Sequence, residues 1–78
     1  MNLLNAIVNE NYKITKIDYT NSTILPRLND LGVIVGANIT VVRECNKGAC
    51  TVLLINGRLI AVSNEICKDI IVSGENNG

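Results

Sequence analysis

Apolar positions in this chain come mostly in short runs separated by turn residues, and the spacing changes along its length. "NLLNAIV" is too short to stand alone and is expected to form a helical turn capping one end of the fold. In "NYKITKIDY" polar and apolar residues alternate, with Ile14 and Ile17 as core positions, so a strand with an irregularity between them is expected. "TNSTILP" supplies side-chain oxygens for free backbone N–H groups, and Pro26 suits the first turn of a helix. That helix runs for about two turns and stops at Leu31. Gly32 then allows the positive φ that commonly ends a helix, and Gly36 serves the same purpose at the entry to the next strand.

The second half reads as strands and tight turns. "NITVVRE" (38–44) is a strand with Ile39, Val41 and Arg43 on one face and Thr40, Val42 and Glu44 on the other. "CNKGAC" makes a hairpin loop, and "TVLLI" is the returning strand. Asn56-Gly57 between apolar runs is a strong hairpin signal, because a two-residue primed turn needs positive φ at both positions. "RLIAV" returns, "SNEICKD" forms a short helical turn capped by Ser63, and "IIVS" closes the sheet. The expected fold is all-β: a small, partly open SH3-like barrel of about five strands with a short inserted helix, spanning 1–73 as one domain. Residues 74–78, "GENNG", form a polar tail that is expected to be disordered.

Composition narrows the chemistry. The chain has 78 residues with no Trp and no Phe, so Val, Ile and Leu must build the core, and their branching suits strands. Seven basic and seven acidic residues cancel without clustering, which removes the main support for nucleic-acid binding. No segment is apolar and long enough for direct membrane insertion or export, and the three cysteines are an odd number. A cytoplasmic protein with reduced thiols is expected.

Catalytic parts are missing: there is no His, no phosphate-binding G-x-x-x-x-G-K-[ST] loop, and no nucleophile beside an evident base. The chain is therefore expected not to be an enzyme and to need no cofactor. Arg27 or Arg58 could act in trans on a partner's nucleotide, although a solvated Arg is the plainer reading. Cys45, Cys50 and Cys67 are soft ligands, but Cys-x4-Cys across a hairpin is no zinc knuckle and no fourth ligand is fixed. Glu65 and Asp69 stand at helical spacing and read as a solvated face.

One surface feature is particular. If Leu53 and Ile55 point inward, Val52 and Leu54 point outward. Either the N-terminal segment covers that pair through Leu3, Leu4 and Ile7, or the pair is offered to a partner.

The order of Arg27, Leu28, Leu31, Gly32 and Gly36, then Ile39 and Val41, then Gly48, Leu53, Ile55 and Gly57, then Glu65, Ile70 and Val72 resembles the FeoA family of ferrous-iron-transport proteins. The resemblance implies an SH3-like domain that binds and regulates FeoB, a membrane transporter with a cytosolic GTPase domain, and performs no chemistry itself. The residues expected to meet a partner are Arg27, Leu28 and Leu31 with the outward pair Val52 and Leu54, and weak homo-oligomerisation is a further expectation. Similar domains end iron-dependent repressors, so a detached regulatory domain of that kind is the alternative. Val35 stands where the family usually has Pro, and Cys67 where it usually has Ala, which makes Cys67 a small core residue.

Overall fold

The computed structural model describes residues 1–18 and 25–74. Strands β1 (Asn11–Ile17), β2 (Asn38–Cys45), β3 (Cys50–Ile55), β4 (Arg58–Ser63) and β5 (Ile70–Gly74) form one antiparallel sheet in the order β4-β3-β2-β1-β5. The sheet curls but does not close, so β4 and β5 are its two edges. This is the expected open SH3-like arrangement, with helix α1 (Leu25–Asp30) before β2 and the short α2 (Asn64–Cys67) before β5. Residues 75–78 of the expected polar tail, and most of the turn before α1, lie outside the described residues.

The sequence pattern explains most of this. In β1 the register against β5 shifts between Ile14 and Lys16, which lets Ile14 and Ile17 both enter the core despite their odd spacing. At the end of α1, Gly32 has φ +91° and its N–H donates to the Asn29 carbonyl at 3.0 Å. The Val33 N–H reaches back to the Leu28 carbonyl at 2.9 Å, and both side chains are buried, which is a complete Schellman closure with its apolar contact. A Cβ on Gly32 would run into the side-chain amide of Asn56, so this glycine also sets how closely the helix end approaches the β3–β4 turn.

Strand β2 departs from simple alternation. The pairing passes from Val41–Leu53 to Arg43–Val52, leaving Val42 as an extra residue in a β-bulge. The expected faces hold up to Val41 and reverse after it: Arg43 lies opposite Val52 on the outer face, and Glu44 lies opposite Thr51. Inside the curl, Leu3, Ile14, Val33, Ile39, Leu53, Ile55, Cys67, Ile70 and Val72 are almost wholly removed from solvent. Leu3 belongs to this core, so the N-terminal 3₁₀ turn (Leu3–Asn5) plugs the open barrel instead of covering its outside.

Candidate interaction surfaces

The outer face of β3 and β4 is built by the Asn56-Gly57 turn, whose two residues have φ 52° and 76°. That turn pairs Ile55 with Arg58, Leu54 with Leu59 and Val52 with Ala61, so the outward residues form an apolar stripe. Val52 is only 8% exposed, because a short side chain on an inner strand is shaded by Arg43 and Ala61 on either side. Leu54 is 39% exposed and Leu59, on the edge strand, 64%. The expected outward pair thus divides, with Leu54 accessible and Val52 not. Covering by the N-terminal segment is ruled out as the cause, since Leu3 is in the core and Leu4 and Ile7 are exposed. Leu59 was legible in principle, because counting outward from Asn56-Gly57 places it opposite Leu54.

A second feature lies where the N-terminal segment crosses the end of the curl. A cleft of about 330 Å³ is lined by Leu3, Leu4, Ala6, Val8, Val41, Glu44, Thr51 and Asn64. Its apolar wall is held in place by the Tyr12 hydroxyl, which accepts the Ile7 N–H at 2.9 Å, and by the Asn9 N–H donating to the Val41 carbonyl at 2.8 Å. Its polar end is held by Asn64, whose carboxamide oxygen accepts the Thr51 hydroxyl at 2.6 Å while its NH₂ donates to the Gly48 carbonyl at 2.5 Å. The Asn64 N–H also donates to the Ala49 carbonyl at 3.0 Å, so one residue ties α2 to the β2–β3 loop. With Leu4 and Val8 accessible at the rim, the cleft suits an apolar side chain with a polar group at one end. No sequence pattern marked it, because its walls come from segments far apart in the chain.

The model of the FeoA domain family matches residues 1–74. The chain belongs to the FeoA family. Among solved structures it is similar to FeoA from Chlorobium tepidum, with a TM-score of 0.85 and 23% identity over 99% of this chain and 76% of that one. A FeoA-like protein from Clostridium acetobutylicum gives 0.79 and 20% identity, over 95% of this chain and 85% of that one. The manganese-activated repressor ScaR overlays at 0.82 with 21% identity, covering 96% of this chain but 37% of the repressor. No curated protein sequence matches the chain.

In this FeoA domain the five residues expected to bind a partner do not form one patch. Arg27 is exposed on α1, Leu28 is buried beneath it, and Leu31 is half-buried against the core. Val52 and Leu54 lie on β3, as described above. The burial of Leu28 follows from the Schellman closure, which turns it toward Val33.

The cysteines of the FeoA domain divide as well. Cys45 and Cys50 stand opposite each other at the loop end of the β2–β3 hairpin, with Cα atoms 5.1 Å apart, and are joined in a disulfide. This differs from the expected reduced thiols: the hairpin register alone brings the two residues within bonding reach. Cys67 is free and fully buried, as expected of a small core residue, and its thiol donates to the Val62 carbonyl at 3.6 Å. Burial pushes that thiol up to about 11, offset in part by a hydrogen bond with Thr51. Among the described residues there is no group of three His, Cys, Asp or Glu placed to hold a metal ion, and no helix long and apolar enough to cross a membrane.

Proposed function

We propose that this chain is an accessory protein of ferrous-iron transport that docks on the cytosolic GTPase domain of a FeoB-like transporter. It regulates that transporter by binding, catalyses no reaction itself, and works in the cytoplasm. The observation that carries the reading is membership of the FeoA family over residues 1–74. The surface supports it: the accessible features are apolar side chains and a cleft, which is equipment for recognition. The cleft rim, Leu4 and Val8, is the contact we assign to the transporter. Arg27 and Leu54 are the exposed members of the set expected to meet a partner, and each offers a separate position for comparison.

Calorimetric titration with the transporter's soluble GTPase domain, with and without a guanine nucleotide, tests the reading. Binding is expected in at least one nucleotide state, and Leu4→Lys with Val8→Lys should weaken it about ten-fold or more. Absence of binding in every state would overturn the proposal. The overlay with ScaR favours a second reading, a regulatory domain of the repressor type. Under that reading the GTPase domain would not bind and a DNA-binding polypeptide would.

A further inference from the structure

Among the described residues, no strand and no backbone hydrogen bond covers the outer edge of strand β4. Because Asn56 and Gly57 make a two-residue primed turn, Ile55 and Arg58 form the first hydrogen-bonded pair of the β3–β4 ladder. The alternation then makes Leu53–Ile60 and Thr51–Val62 the other bonded pairs. The N–H and C=O groups of Leu59 and Ala61, opposite Leu54 and Val52, therefore point away from β3 toward the open side. Natural edges are usually guarded by Lys, Pro or a bulge. Strand β4, Arg58-Leu59-Ile60-Ala61-Val62-Ser63, has none of these and carries one charge, at its turn end.

We infer that this edge takes the β4 strand of a second copy of the chain, antiparallel, about a two-fold axis through Ile60. A two-fold axis perpendicular to the sheet keeps the same face upward in both copies, so only residues on the same face can pair. Ile60 then meets Ile60 of the second copy, Leu59 meets its Ala61, and Arg58 meets its Val62. The groups brought together are the ones β3 leaves free: each Leu59–Ala61 pair exchanges both of its hydrogen bonds. On the outer face Leu59, 64% exposed, gains cover beside Leu54, and the half-buried Ile60 gains cover at the margin of the core. The same register carries Arg58 to the β4–α2 junction of the second copy, whose first helical turn holds Glu65, a complementary charge. A second copy thus satisfies the backbone groups, the apolar stripe and the charge together. The inference does not depend on the transporter reading.

The test combines sedimentation velocity with residue-resolved amide exchange on the purified protein, from about 10 µM to about 1 mM. A dimer fraction that rises with concentration is expected, with exchange at Leu59 and Ala61 slowing as it forms and exchange at Ile60 and Val62 unchanged. Leu59→Lys should raise the dissociation constant about ten-fold or more with an unaltered circular dichroism spectrum. Ala61→Pro, which removes an N–H that β3 does not use, should abolish the dimer; if it fails to fold, Leu59→Lys alone carries the test. A monomer throughout the range overturns the inference, as does a dimer whose Leu59 and Ala61 amides exchange freely or one indifferent to Leu59→Lys. Slowing seen only after a transporter GTPase domain is added also overturns it, assigning the edge to that protein.

Discussion

The two edges of this sheet are built alike and finished differently. At β5 the chain covers its own edge: Asn2 bridges Ile71, and the Val72 N–H donates to the Met1 carbonyl at 2.8 Å. The residue that follows, Leu3, is 1% exposed and completes the core. At β4 six regular pairs end in backbone that no other described residue pairs with, and Leu59 is largely in solvent. The difference teaches that edge cover here is a by-product of core completion. The N-terminal segment lies on β5 because Leu3 fills the mouth of the curl, and β4 has no comparable vacancy beside it.

Changes at the two edges should therefore differ sharply in cost. The largest effect is expected for Leu3→Ala, which removes a buried anchor and should destabilise by about 3 kcal/mol in a urea titration. It should also speed amide exchange at Val72. A loss below about 1 kcal/mol would mean that the cover is held by its backbone bonds rather than by the core.

A second measurement strikes β4 from beneath, where Cys67 donates to the Val62 carbonyl. The folded-state thiol is raised from 9.0 to about 11, so its contribution is fully present below pH 9 and is lost as pH climbs through about 11. The wild type should lose about 2–3 kcal/mol over that window relative to Cys67→Ala, with the difference between the two curves isolating the thiol from other titrating groups. Parallel curves would show that the thiol does not face a closed interior.

Gly32→Val should cost about 2 kcal/mol, since a β-branched residue resists φ +91° and its Cβ would displace Asn56 from the turn that launches β4. An unchanged melting temperature would separate the helix end from the β4 hairpin. The smallest effect is expected for Leu59→Lys, within about 0.5 kcal/mol for the monomer, because the side chain already stands in solvent. Urea unfolding at low concentration checks it, and a loss comparable with Leu3→Ala would erase the contrast between the edges.

Much of the fold was legible from local chemistry. Asn56-Gly57 dictated the β3–β4 register, Gly32 announced the end of α1, and the uneven spacing of Ile14 and Ile17 foretold the irregularity in β1. What escaped reading came from non-local geometry. The bulge at Val42 arises from how β2 meets β3, and nothing in "NITVVRE" marks which residue is extra, so the faces of Arg43 and Glu44 came out reversed. Leu3 looked like one apolar residue among several until the open mouth of the curl selected it. The cleft was hidden for the same reason, since Leu4, Val41 and Asn64 meet only in the folded chain. The disulfide followed from Cys45 and Cys50 facing each other, a consequence of the loop between them that composition could not supply.

The bonds between Met1 and Val72 also bear on the order of events in folding. The strands β2, β3 and β4 are neighbours in sequence as well as in space, joined by short loops, and their hairpins can close within a few residues. The Met1 amine meets the Val72 carbonyl at a sequence separation of 71, a long closure, and nothing rewards it until β1 and β5 are paired. Closing this cover should therefore be among the last steps, after the transition state, so that Leu3→Ala speeds unfolding and leaves the refolding rate nearly unchanged.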